Sequence, residues 1–115
     1  MGVSLTVRTF RSPYAEISSS DVGGSSTAMS KGRCIWTLAT SRAFVHDNYV
    51  HHCTSHALDF DAYTSNSAAY SNVCEDNGEE GIFVEETANG NFIFNNTCRR
   101  NRCECSQPNN HANNT

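Results

Sequence analysis

Ala57-Leu58-Asp59-Phe60-Asp61 and, 24 residues further on, Gly81-Ile82-Phe83-Val84-Glu85 share one pattern, small-apolar-x-apolar-acidic. Alternation with a period of two is that of a strand with one buried face, and a helical period fits neither stretch. Leu58, Phe60, Ile82 and Val84 turn to one side; Asp59, Asp61, Phe83 and Glu85 turn to the other. The register continues outward from these two strands. Asn48, Asn72 and Asn96 recur at 24 residues, as do Val45/Ala69/Ile93, His46/Tyr70/Phe94 and Val50/Cys74/Cys98. One unit earlier at the same spacing, Cys34 falls under Leu58 and Trp36 under Phe60. Three full units and part of a fourth run from about residue 32 to residue 102.

A unit this short cannot enclose its own apolar face, so neighbouring units must stack to bury it. The expected architecture is an all-β single-stranded parallel β-helix of about four rungs, one per 24 residues. Its inward columns are Cys34/Leu58/Ile82, Trp36/Phe60/Val84 and Val50/Cys74/Cys98. Equivalent residues then sit about 4.8 Å apart, and Asn48, Asn72 and Asn96 form a hydrogen-bonded ladder at a turn. Residues 1–31 read as an irregular segment, either an imperfect first rung or a lateral insertion, with a strand near Val3 to Phe10. Residues 32–105 are the β-helix and residues 106–115 a frayed polar tail. Solenoid ends are normally capped, and no amphipathic helix is available to do it. A fragment of a longer solenoid, a truncated product or a protomer stacking end to end on a partner is therefore expected.

Composition agrees with strands and tight turns. Of 115 residues, 13 are Asn, 14 Ser and 10 Thr, with a single lysine and a net charge of −4. Asn, Ser and Gly suit turns because they tolerate unusual backbone angles and bond nearby backbone. The balance excludes a basic nucleic-acid binder and a charged disordered tail. Arg99, Arg100 and Arg102 are the one basic patch, and no aromatic residues interleave it. No apolar run reaches the roughly 18 residues of a membrane span.

The stretches Ser55–Asn66, Glu79–Glu86 and Asn91–Thr97 resemble the right-handed parallel β-helix repeats of the pectin lyase-like superfamily. That resemblance implies right-handed winding, a carbohydrate ligand and an extracellular setting, although Met1 to Phe10 lacks the long apolar stretch of a secretory signal. Within the superfamily the closest local likeness is to mannuronan C5-epimerases, whose signature is Tyr-Gly-hydrophobic-Asp-Pro-His followed one rung later by His-Gly-Ile. Leu58-Asp59 and Gly81-Ile82 fall into place. His56 stands where that family has Tyr, Phe60 where it has Pro, Asp61 where it has His, and Glu80 where it has the later His. Asp59 is the position that matches a catalytic residue.

The residues themselves add an acidic cluster. Asp59 and Asp61 leave the same strand face about 6.6–7 Å apart, with Glu85 one rung from Asp61 and Phe83 one rung from Asp59. Carboxylates this close raise the pKa of one member, which suits general acid or base work. The expected catalytic set is Asp59, Asp61, Glu85 and His56, with Phe83 and Glu80 binding substrate. Proton abstraction beside a uronate carboxylate (epimerisation or β-elimination) is expected over hydrolysis, on the Leu58-Asp59 likeness. The same oxygens could instead hold Ca²⁺. The bland reading is a solvated polar face on a structural or carbohydrate-binding module. It gains from the expectation that no basic residue is in register with Asp59 to neutralise a substrate carboxylate.

Other motifs carry less. His51/Glu75/Arg99 and His52/Asp76/Arg100 form columns of alternating charge that would hold rung register. Neither His51-His52 nor Cys103-x-Cys105 has structural zinc spacing, and no metal ligands are assigned. Cys74 and Cys98 lie within disulfide reach, or stack as thiols. Asn95-Asn96-Thr97 and Asn113-Asn114-Thr115 match glycosylation sequons, a common chance match.

Overall fold

The computed structural model describes residues 6–85 and 87–102, and the polar tail expected for residues 106–115 lies outside them. Among the described residues, twelve short strands follow one another in four sets of three. The first set is β1 (Val7–Phe10), β2 (Glu16–Ser18) and β3 (Asp21–Gly23); the second is β4 (Ile35–Leu38), β5 (Phe44–His46) and β6 (Tyr49–His51). The third is β7 (Leu58–Phe60), β8 (Ala68–Tyr70) and β9 (Val73–Glu75), and the fourth β10 (Ile82–Val84), β11 (Phe92–Phe94) and β12 (Thr97–Arg99). Each set is one rung. First members pair in parallel as β1-β4-β7-β10 (sheet A), second members as β2-β5-β8-β11 (sheet B), third members as β3-β6-β9-β12 (sheet C). The result is a right-handed parallel β-solenoid of about four turns.

The core is one inward position per short strand in sheets B and C and two in sheet A. Val22, Val50 and Cys74 stack in sheet C, with Cys98 packed against them, and Val45 and Ala69 stack in sheet B. In sheet A the columns differ from those expected. Ile35 pairs with Leu58 and Thr37 with Phe60, so the inward columns are Ile35/Leu58/Ile82 and Thr37/Phe60/Val84. Cys34 precedes the strand and Trp36 faces outward, beside Asp59. The Asn48/Asn72/Asn96 repeat hides this shift because it sits after sheet B. The turn between sheets A and B gains one residue from the second rung to the third, so sheet A alone moves by one. A one-residue slip exchanges every side chain between the two faces.

Asn48, Asn72 and Asn96 build the expected ladder. Asn72 Oδ1 accepts from the Asn48 backbone N–H at 3.1 Å and from Asn48 Nδ2 at 3.0 Å. Its own Nδ2 donates to the Val45 carbonyl at 2.9 Å and to Asn96 Oδ1 at 3.0 Å. Asp47, Ser71 and Asn95, just before each ladder residue, adopt left-handed φ near 55°. That conformation is costly for L-residues, and bonding the turn's backbone offsets it. A second ladder closes the turn after sheet C: Asn77 Oδ1 accepts from Cys53 N at 3.0 Å, and Asn101 Oδ1 from Asn77 N at 3.1 Å. Ser67 and Asn91 do the same before sheet B, at 2.9 Å each. The first rung joins the second through β1, β2 and β3, with a small Ser25–Ala28 loop between β3 and β4.

A disulfide joins Cys34 to Cys53 across the corner between sheets C and A. Cys74 is a free buried thiol, pushed up to about 12 by burial, whereas Cys98 above it is disulfide-bonded.

Candidate functional site

Sheet A presents an outward column of Arg8, Trp36, Asp59 and Phe83, one residue per rung. The segments leading into the sheet bring Lys31, Arg33, Ser55, His56, Glu79 and Glu80 alongside it. Asp61 and Glu85 flank it on the other side. All six residues expected at a site therefore gather on this face.

Asp59 is the least expected of them in setting. Although it points away from the core, its side chain is only 1% exposed. Arg33 covers it: Nε lies 2.7 Å from Asp59 Oδ2, and Nη1 3.3 Å from Asp61 Oδ2. The strand partners of Asp59 are Trp36 and Phe83, neither of them basic, and Arg33 reaches it from outside that register. The 23-residue step from Ile35 to Leu58 carries the Arg33 side chain to the carboxylates, which a uniform repeat of 24 misplaces. Burial pushes the Asp59 carboxyl up to about 8; Asp61 adds to the rise, Arg33 opposes it, and Glu85 and Glu80 add smaller contributions. Desolvation thus outweighs the single guanidinium. The Arg33 contact sits off hydrogen-bonding alignment, and neither Asp59 oxygen has a hydrogen bond.

Arg33 also lies over the Trp36 ring, 4.5 Å from its centroid, and Arg8 approaches the same ring at 5.6 Å. Cations over an indole face are attracted by its quadrupole. Beside them opens a cleft of about 330 Å³ lined by Thr6, Lys31, Gly32, Arg33, Trp36 and Ser55. Lys31, Arg33 and Trp36 were not expected at the site. Their signal in the sequence was the run Lys31-Gly32-Arg33 two residues before a strand, legible only with the correct sheet A register.

His56 stacks on Phe83 with ring centroids 4.4 Å apart and planes 6° from parallel. One face of Phe83 is thus occupied by imidazole. His56 Nδ1 lies 2.6 Å from Glu80 Oε2, and Nε2 lies 3.6 Å from Glu79 Oε2. The ligand atoms of His56, Glu79 and Glu80 all lie within 4.8 Å of one another. Glu85 is half-buried, and Asp61 Oδ1 accepts from the Ala62 N–H at 2.8 Å.

The charged columns on sheet C form in part. Arg99 and Arg100 both reach the buried Glu75, and Arg100 grips Asp76 at 2.8 and 3.0 Å. The Tyr49 hydroxyl, then Arg99, holds the Glu75 carboxyl below its usual range. His51 instead turns to Asp21 on the first rung, at 2.6 Å, because Tyr49 and the arginines already fill the Glu75 oxygens. On sheet B, His46, Tyr70 and Phe94 stack with centroids 4.7 and 5.2 Å apart.

Three parallel sheets wound into a ladder-braced coil, with a charged groove along one outer face, define a β-helix protein. The chain belongs to the right-handed β-helix family: the family model for the right-handed β-helix region matches residues 7–115. No curated protein and no solved structure matches the chain.

Proposed function

We propose that the outer face of sheet A binds an acidic polysaccharide, and that Asp59 acts on the bound chain by abstracting a proton beside a uronate carboxylate. One observation carries this reading: Arg33, lying over Trp36 at the mouth of a lysine-lined cleft, bridges the buried Asp59 and Asp61. An aromatic ring face suits a pyranose ring, and Lys31 and Arg33 suit its carboxylate. A substrate carboxylate pairing with Arg33 would draw the guanidinium off Asp59 and open that carboxyl group to the bound chain, as proton abstraction requires. Epimerisation and β-elimination both begin with that step. His56, Phe83, Glu80, Asp61 and Glu85 would line the groove beyond it. A Ca²⁺ ion between substrate and the carboxylates is compatible with the same face.

A second reading is favoured by the sealing of Asp59 at 1% exposure. In it the groove binds polymer without turnover, as a carbohydrate-binding or structural module of a larger assembly. Proton NMR of polymannuronate, alginate, pectate and neutral polysaccharides, incubated with protein and Ca²⁺, separates the two. Epimerised residues or unsaturated ends that vanish with Asp59→Asn support catalysis. Binding lost with Trp36→Ala, but with unchanged polymer spectra, supports the module. The absence of both binding and turnover in folded protein rejects the polysaccharide reading.

A further inference from the structure

The His56, Glu79 and Glu80 cluster differs chemically from the rest of the outer face. Its residues come from adjacent rungs in fixed register, since Ala57 N donates to Glu80 O at 3.0 Å and Glu79 N to Ser55 O at 3.3 Å. The His56 ring is immobilised by its stack on Phe83. His56 Nδ1 is wholly buried yet makes no hydrogen bond, although Glu80 Oε2 is 2.6 Å away. A hydrogen-bonded pair would place the oxygen along the N–H direction. Two donors sharing a tetrahedral ion lie off each other's lone-pair axes and about 3.3 Å apart, given metal–ligand bonds of about 2.0–2.2 Å. Widening this misaligned contact from 2.6 Å to about 3.3 Å would bring the two atoms to ligand spacing around an ion.

Charge points the same way. Among the described residues, His56 is the ion-pairing partner of both Glu79 and Glu80, while Arg33 is committed to Asp59 and Asp61. With His56 neutral, two carboxylates face one imidazole, a set whose net charge a divalent ion cancels. Ser55 Oγ hydrogen-bonds Glu79 Oε2, the kind of outer partner that orients a ligating carboxylate.

We propose that His56, Glu79 and Glu80 form a divalent transition-metal site, of the kind Zn²⁺ occupies, that clips the third rung to the fourth. One nitrogen and two carboxylate oxygens match Zn²⁺. Ca²⁺ would require six to eight oxygens, more than these residues offer. Glu79 is 40% exposed, so the remaining position opens to water. The site shares His56 and Glu80 with the far end of the proposed groove, but it is argued from its own geometry, whereas the polysaccharide reading rests on Lys31, Arg33, Trp36 and Asp59.

The test is titration of the full chain with Zn²⁺ against a chromogenic chelator, with Co²⁺ as an absorbing substitute. One ion per chain is expected, with Co²⁺ giving visible bands of a four- or five-coordinate ion. His56→Gln and Glu80→Gln should each weaken binding by at least about tenfold, whereas His51→Gln should leave it unchanged. Circular dichroism checks each variant, and histidine ring NMR of the wild-type chain gives a readout that no variant can confound: Zn²⁺ should shift the His56 resonances before any other histidine. No binding in the micromolar range, full binding by folded His56→Gln, first shifts at another histidine, or displacement of Zn²⁺ by equimolar Ca²⁺ would each overturn the proposal.

Discussion

Arg33 Nε and Asp59 Oδ2 stand 2.7 Å apart on the outer face of the solenoid, with the carboxylate sealed from water beneath the guanidinium. The pair links the second and third rungs, between which sheet A steps by 23 residues and the other two sheets by 24, and it sets the electrostatics of the groove. Burying a charge pair seldom stabilises a fold by itself, because lost hydration offsets the attraction. That cost makes the pair a natural focus for tests.

Asp59 should weaken the fold as pH rises. Its folded pKa of about 8 lies above its ordinary 3.8, so the folded state holds the extra proton. The associated stability is fully present below about pH 4 and is lost as pH climbs through 8, at up to about 1.4 kcal/mol per pH unit. Urea unfolding at pH 5, 7 and 9 should therefore show Asp59→Asn gaining on the wild type at each step. Parallel pH profiles would mean that Asp59 ionises normally.

The outward setting of Trp36 predicts a mild stability effect. Had it filled the column with Phe60 and Val84, Trp36→Ala would cost about 3–5 kcal/mol, as core aromatic truncation does. Facing solvent beside Asp59, it should cost no more than about 1–2 kcal/mol in cation–π and packing contacts. Phe60→Ala is the contrasting core variant, and thermal melts of the two report the register directly.

Asn72 should be among the most sensitive polar positions. It is 1% exposed, and its removal orphans the Asn48 N–H and the Val45 carbonyl. At about 1–3 kcal/mol for each buried group left unpaired, Asn72→Leu should cost several kcal/mol in denaturant unfolding. Asn96→Leu, nearer the end of the ladder and half-buried, should cost less.

Replacing Cys34 and Cys53 together by Ala should remove about 3 kcal/mol, the loop-closure value for a bridge spanning about this many residues. Cys74→Ala should leave the disulfides in place and lose only packing. Comparison of midpoints in urea, with and without reductant, separates the two effects.

His46 gives a fifth handle. Its hydrogen bond to Asp47, helped by Glu16 against the cost of burial, raises its pKa above 6.5. Stability from this contact is present below pH 6.5 and is lost as pH rises through the raised value. An NMR titration of the His46 ring should show its midpoint moving down in Glu16→Gln.

The sequence by itself determined the solenoid. Leu58, Phe60, Ile82 and Val84 alternate with polar residues, and Asn48, Asn72 and Asn96 repeat without interruption; a short amphipathic unit has no other way to bury its face than to stack. It also marked Asp59, Asp61, Glu85, His56, Phe83 and Glu80, since outward residues of one sheet share a surface once the repeat is known. The tertiary structure alone decided how that surface is wired. One added residue in a turn shifts sheet A against the Asn ladder, exchanging Trp36 for Thr37 in the core and laying Arg33 across Asp59. Periodicity records the length of a rung, whereas a side chain's neighbours depend on where within the rung each residue is gained or lost. Burial of Asp59 follows from that same shift, because only assembled rungs bring a guanidinium and an indole over it.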